Sequence, residues 1–436
     1  MATPMSATAV MAVGDRVRLR VRALASGGAG VADLPDGRVV FVHRTAPGDL
    51  VDARVARLKP RWGEGELLEV VEPGPGRVPA PCPHYATCGG CSLQHLAYAE
   101  QLAWKRRFVA DALARIGGVD VRLPEVTPSP AETRYRNRVT FTVLHLGGGR
   151  MVAGFHALRR PERVVDVGGA CLLPEPVLVA AWEALRSACD GARVLPSGRE
   201  LRVTLRALEA GVAVLVKGGT GGWDPALLVE RVPGLVSVWH QPADEEEARR
   251  IAGIVADEAW EDERVPMSGH AFLQVNRAAA HALAAHVQAI AHAQAPGRAV
   301  DAYCGIGVYG RALARLGWRV EGIELDAGAC EGARHAAPAG FTVREGRVEE
   351  LLPDVLPADL VVLNPPRSGL DERIPEVLVR HVPGRLIYVS CDPATLARDV
   401  ARLQGAYSVA ALHSFDLFPQ TSHVETVAVL SRKDPG

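Results

Sequence analysis

Apolar and polar residues alternate with period two through "DRVRLRVRAL", and the pattern returns in "RVVFVHR", "DLVDARVARL" and "GELLEVV". Such alternation predicts short, half-buried strands, here closing into a small β-barrel over residues 13–72 with "SGGAG" as a turn. The Pro- and Gly-rich run "EPGPGRVPAPCP" at 72–83 then breaks the chain. Helical periodicity takes over in "LAYAEQLAWKRRFVADALARIGG" (96–118) and stops at Gly117 and Gly118. Between 133 and 240 strand patterns dominate, among them "NRVTFTVLHL", "MVAGFHAL", "ELRVTLRAL" and "GVAVLVKG". The acidic segment after Pro242 predicts a helix.

From about residue 278 the two periods alternate. The helical "AAAHALAAHVQAIAHA" precedes the strand pattern "RAVDAYC", a helix from 308, "WRVEGIEL", a further helix, "FTVRE" and "ADLVVLN". Then come "RLIYVS", a helix from 394, and the closing strands "YSVAALHSF" and "VETVAVL". This βαβ rhythm predicts an open, mostly parallel, doubly wound sheet. The expected architecture is a multidomain α/β chain: a barrel at 11–74, a strand-rich central domain at 75–264 and a Rossmann-like domain at 265–436. Helix 96–118 is free to pack on the last of these.

At 436 residues the chain is too long for one core, and 48% hydrophobic with 23% charged residues marks it as globular. No apolar run reaches the roughly 18 residues that span a bilayer, and no basic n-region opens the chain, so a cytoplasmic protein is expected. Net charge is −1, yet residues 101–165 hold twelve Lys and Arg against five acids. A local basic surface suits a polyanionic partner.

Three places carry chemistry. "VDAYCGIGVYG" (300–310) runs a strand into a glycine turn at Gly305 and Gly307, and Glu324 ends the next strand, where an acid can accept both ribose hydroxyls. The spacing is not that of a phosphate cradle, so an adenosine cofactor without phosphates, S-adenosylmethionine, fits better than NAD or ATP. "VVLNPPRSGL" (361–370) sets Asn364 before a rigid Pro-Pro turn. "YVSCDPATLARDV" (388–400) offers Cys391, by itself either a buried thiol or a nucleophile at a sheet edge. Separately, "CPHYATCGGC" holds Cys82, Cys88 and Cys91 in ten residues, a metal site lacking one ligand, with Cys171 in "GGACLLPEP" as the natural fourth. Four thiolates hold zinc or an iron–sulfur cluster equally well on spacing alone.

"DAYCGIG", "NPPRSG", "YVSCDPATLARD" and "FPQTSHVET", in this order, together with "FLQVN" (272–276), resemble the RNA uracil-5 methyltransferase family. Residues 13–72 resemble its TRAM barrel, an OB-like RNA-binding module. The resemblance implies Cys391 as nucleophile and Glu425 as general base, with His423 the competing base two residues earlier. It implies Gln274, Tyr303, Glu324 and Asn364 as the S-adenosylmethionine contacts, although some relatives carry Asp where Asn364 stands. It implies a [4Fe–4S] cluster on Cys82, Cys88, Cys91 and Cys171, with zinc as the lesser alternative. RNA follows as partner, 23S ribosomal RNA ahead of transfer RNA, read by a monomer without a membrane. The rival readings are a methyltransferase of base amino groups using Asn364-Pro365-Pro366 and a non-catalytic RNA-binding iron–sulfur protein. The first usually places an aromatic where Arg367 stands, and neither requires Cys391.

Overall fold

The structure is a computed structural model that describes residues 10–146, 150–189, 194–260, 263–266, 273–335 and 337–433. Of the "FLQVN" motif, Phe272 lies outside the described residues.

The N-terminal strands form a six-stranded sheet ordered Arg16–Arg20, Leu50–Leu58, Trp62–Glu72, Val39–Val42, Gly30–Asp33 and Ala23–Leu24. Its two edge strands are consecutive in the chain, so the sheet curls back on itself around Leu19, Val40, Val42, Val51 and Ala53. These are the inward positions of the period-two pattern, and their neighbours face out.

A second, seven-stranded sheet runs from Arg138–Leu146 to Arg249–Gly253, backed by the helices Pro176–Ala188 and Pro225–Arg231. The segment after Pro242 departs from expectation here. Its Glu, Ala and Arg content favours helix, yet Arg249–Gly253 pairs as an edge strand with Leu235–Gln241, and Asp257–Trp260 pairs with Glu263–Pro266. Pairing with an existing edge overrides propensity. Gly253, at φ +77° and pressed against the Val236 carbonyl, gives the chain a bend that a side chain there would block.

The C-terminal sheet has the order Phe341–Glu345, Arg319–Glu324, Arg298–Ala302, Leu360–Leu363, Arg385–Ser390, Glu425–Arg432, Tyr407–Phe415. Its first five strands are parallel and its last two antiparallel. Helices cover both faces, and one comes from far upstream. Tyr98–Arg115 inserts Val109 and Leu113 into the layer that holds Leu396, Ala397, Val400 and Leu403, and Gln404 Nε2 donates to the Gly117 carbonyl at 2.6 Å. Strand order reverses between Arg298–Ala302 and Leu360–Leu363, the switch point where ligands of such sheets bind. No described helix is long and apolar enough to cross a membrane.

Candidate active site

Register aligns the candidate cofactor residues. Ala302 pairs with Ile323 on one side and Leu363 on the other, and Leu363 pairs with Tyr388. One residue beyond these partners stand Tyr303, Glu324 and Asn364, in a row along the carboxyl edge, with Cys391 at the end of the next strand. All four are half-buried, as groups lining an open edge should be. Glu324 is held by three backbone N–H groups: Gly305 at 2.9 Å on one oxygen, Leu325 and Asp326 at 2.8 Å on the other. A carboxylate has about four acceptor sites, so capacity remains for a ribose hydroxyl. Space above the turn is open, since a Cβ built on Gly305 (φ +56°) would touch nothing within 4 Å. Arg311 in the following helix turns its guanidinium to the Ala333 and His335 carbonyls, away from any phosphate role. These residues fit an adenosine ligand without phosphates. Gln274 lies just before the helix Arg277–His292, and its carbonyl accepts from Asn137 Nδ2 at 3.2 Å. The adjoining Leu273 belongs to the same buried layer as Ile306 of the glycine turn and Tyr309 of the helix Val308–Arg315 that follows.

Tyr303 adopts φ +62° at its strand end. A non-glycine residue there costs about 1–2 kcal/mol, a strain of the kind that gathers at ligand edges.

Antiparallel pairing brings the candidate nucleophile and base together. Ser390 pairs with Thr426, so the next residues, Cys391 and Glu425, face each other across the strand ends. Glu425 is 2% exposed, and among the described residues its Oε2 has no hydrogen-bond partner. Burial pushes its carboxyl up to about 8, with Arg367 pulling the other way. Burial, then the Glu425 charge, push the Cys391 thiol up to about 11, again against Arg367. Cys391 precedes the start of the helix Pro393–Leu403, whose N-cap Asp392 accepts from the Ala394 and Thr395 N–H groups. The positive end of that helix favours a thiolate. His423 is poorly suited as a base. Its Nε2 accepts from Arg367 Nη2 at 3.2 Å, and burial with neighbouring cations pushes it down to about 4.

Asp399 escaped the sequence reading. Fully buried, it accepts from the Leu370 N–H at 2.8 Å, the Tyr388 hydroxyl at 2.9 Å and Arg398 Nε at 2.9 Å. It thus ties the Asn364-Pro365-Pro366 loop to the strand and helix flanking Cys391. The signal was present: an acid sits within the apolar stripe Leu396, Val400, Leu403 of its helix.

Cys82, Cys88, Cys91 and Cys171 line one pocket with Tyr85, Gln94 and Phe155. Arg44 braces this loop by donating to the Cys88 and Cys91 carbonyls at 2.6 Å each, and Arg134 donates to the Cys171 carbonyl at 2.6 Å. Burial pushes the Cys91 thiol up to about 12 and raises those of Cys88 and Cys171. Among the described residues no group of three or more His, Cys, Asp or Glu is arranged to hold a metal ion. Cys189 lies apart, at the C-cap of the helix Pro176–Ala188.

The basic run of residues 101–165 is only partly a surface. Lys105 is fully buried and paired at 2.5 Å with equally buried Asp416, and Arg134 turns inward to the cysteine loop. Arg107, Arg115, Arg122, Arg160 and Arg163 remain exposed. On the N-terminal barrel, Val39 pairs with Trp62 and Phe41 with Glu64, while Val40 and Val42 point into the core. Phe41 and Trp62 therefore face outward together, ring centroids 6.1 Å apart, with Arg57 over the indole and Arg61 at the rim of the same open cleft.

A barrel, a switch-point sheet with an adenosine-compatible edge, and a thiol facing a carboxyl fit a methyltransferase, the class that the comparisons show. A family model described as tRNA (Uracil-5-)-methyltransferase matches residues 343–433, and the TRAM domain model matches residues 11–68. An uncharacterized RNA methyltransferase of Gloeobacter violaceus is 38% identical over 448 residues, covering 96% of this chain and 97% of its own. Another, of Halalkalibacterium halodurans, is 32% identical over 454 residues, covering 96% and 98%. The crystal structure of Pyrococcus abyssi tRNA (uracil-54, C5)-methyltransferase in complex with S-adenosyl-L-homocysteine matches with a TM-score of 0.74 at 28% identity, over 95% of this chain and 100% of that one. The chain belongs to the S-adenosylmethionine-dependent RNA uracil-5 methyltransferase family.

Proposed function

We propose that the protein methylates C5 of a uridine in 23S ribosomal RNA through a covalent adduct on Cys391. The facing of Cys391 and Glu425 across paired strand ends carries this reading. Uracil C5 is too weak a nucleophile to attack a sulfonium methyl unaided. Addition of the Cys391 thiolate to C6 converts the ring to an enolate whose C5 is nucleophilic, splitting one hard step into easier ones. Gln274, Tyr303, Glu324 and Asn364 hold S-adenosylmethionine, which supplies the methyl group. Asn364, at the loop Asp399 anchors, also faces the uracil ring. After transfer, Glu425 takes the C5 proton, the C5–C6 double bond re-forms and the sulfur leaves with its electron pair. A base works best with a pKa near the working pH, and a buried carboxyl near 8 meets that condition.

The target base must leave its stack to reach Cys391. The outward Phe41–Trp62 pair and the exposed arginines of the basic run suit the RNA around it. Cys82, Cys88, Cys91 and Cys171 bind a [4Fe–4S] cluster on this reading. Four thiols that line one pocket can hold such a cluster or a single zinc ion, and the family resemblance of the motifs favours the cluster. Its contribution is structural, since methyl transfer moves no electron through it. The protein acts in the cytoplasm as a monomer.

Transfer RNA is the second reading, favoured by the activity of the similar Pyrococcus abyssi enzyme. Incubation with labelled cofactor and separated ribosomal and transfer RNA from a strain lacking the protein, with mass-spectrometric mapping, tests both. Labelled 5-methyluridine in 23S RNA supports the proposal. Label confined to transfer RNA replaces the target, and label on a base amino group overturns the chemistry.

A further inference from the structure

The loop between Phe415 and Glu425 offers four successive carbonyls, and each is taken by a different part of the chain. Leu417 O accepts from Asn276 Nδ2, Phe418 O from Lys105 Nζ, Pro419 O from the Tyr135 hydroxyl, and Gln420 O from the N–H groups of both Ser92 and Leu93. Ser92 directly follows Cys91, and its Oγ also accepts from the Ser422 N–H at 2.9 Å. Gln420 is the centre of this arrangement. It holds φ +69°, is 6% exposed, and makes a reciprocal pair with Gln101. Gln101 Oε1 accepts from the Gln420 N–H, and Gln101 Nε2 donates to Gln420 Oε1, both at 3.0 Å. Gln101 is itself 1% exposed and anchored to the Leu96 carbonyl.

Nothing in cofactor binding or thiolate addition uses these two amides. They fix the backbone five residues before Glu425, and the Gln420 carbonyl held in this way receives Ser92 and Leu93 of the loop that carries Cys91. We propose that Gln101 and Gln420 are positioning residues for Glu425, and that through them the cysteine loop sets the proton-removal step without setting methyl transfer. The inference rests on the reading of Cys391 and Glu425 given above. The step concerned moves the C5 proton to the Glu425 carboxylate, re-forms the C5–C6 double bond, breaks the C6–S bond and returns the electron pair to the Cys391 sulfur. A carboxylate displaced by about 1 Å slows such a step by up to ~100-fold.

The test separates the two halves of the reaction with labelled cofactor and the full-length enzyme. Methyl transfer is read in a single turnover, and the second half as loss of the labelled, SDS-stable enzyme–RNA complex. Gln101→Ala is expected to keep single-turnover transfer and to accumulate that complex. Gln420→Gly, which keeps the left-handed backbone and removes the amide, should do the same, so misfolding of one variant does not decide the matter. Cys91→Ser, with iron measured independently, should also accumulate complex. Wild-type release in both glutamine variants, or equal loss of transfer and release, overturns the positioning role. Wild-type release in Cys91→Ser overturns the link to the cysteine loop. Glu425→Gln is the control: should it turn over without accumulating complex, the reading of Glu425 fails, and the positioning role with it. Accumulation in Glu425→Gln but not in the glutamine variants removes the positioning role alone.

Discussion

Ser390 and Thr426 are register partners, and this one pairing sets Cys391 and Glu425 side by side at the carboxyl edge of the sheet. In the proposed mechanism the two groups act in sequence on one ring, so their substitutions should fail differently. Cys391→Ala should lose methylation and the adduct with 5-fluorouracil RNA. Glu425→Gln should form the methylated adduct and release it about 10²- to 10⁴-fold more slowly, the usual worth of a general base. Gel analysis of denatured reactions reads both. Turnover by Cys391→Ala would remove covalent catalysis from the account.

The same carboxyl makes stability depend on pH. Its pKa is about 8 in the folded protein against an ordinary 4.5. Above 4.5 the unfolded chain loses this proton while the folded protein keeps it, so stability falls as pH rises until about 8. Glu425→Gln removes the effect, and its melting temperature should exceed that of wild type by a margin that grows between those pH values and vanishes below them. Product release in wild type should rise with pH through about 8 as the carboxylate forms. Arg367, Cys391 and Tyr309 face this group, so Arg367→Gln should move that midpoint upward. A flat difference in melting temperature from pH 4 to 8 would show that Glu425 is not held protonated.

Local patterns made the elements of the catalytic domain readable, because period-two and helical spacing report burial directly. The glycine turn, Glu324 and Asn364 were legible because each closes a strand, and strand ends share an edge. Long-range partners were not. Lys105 looked like part of a basic surface, and only its place on the stripe Gln101, Trp104, Phe108, Val109 hinted that it lies inside. Nothing near Lys105 in sequence announces Asp416. The helix expected after Pro242 failed for a related reason: an edge strand depends on what it pairs with, and composition is blind to that.

The Lys105–Asp416 pair is fully buried on both sides, so the loss of one partner strands a charge. Lys105→Met should destabilise the protein by about 3–5 kcal/mol, and adding Asp416→Asn should recover much of that. Denaturant unfolding of both variants measures it. Equal stability of Lys105→Met and wild type would mean that water reaches Asp416.

The cysteine pocket predicts a composition. Protein purified without oxygen should hold iron and acid-labile sulfide in equal amounts, and Cys171→Ser should lose both, because Cys171 lines the same pocket from a distant segment. Metal analysis that finds zinc alone would replace the cluster with a single ion.

On the barrel, Phe41 and Trp62 share an outward face that a folded barrel does not need to be apolar, with Arg57 set over the indole. A base stacked on such a platform is worth about 1–3 kcal/mol, or roughly 5- to 150-fold in affinity. Trp62→Ala should weaken RNA binding by that factor in fluorescence anisotropy, and should leave single-turnover methyl transfer at saturating RNA unchanged. The two measurements separate a docking surface from a catalytic one, since a group that touches only flanking RNA changes how much enzyme is loaded and not how fast the loaded enzyme reacts. Unchanged affinity in the Phe41→Ala/Trp62→Ala double variant would move the RNA path off this face and onto the exposed arginines Arg107, Arg115 and Arg122.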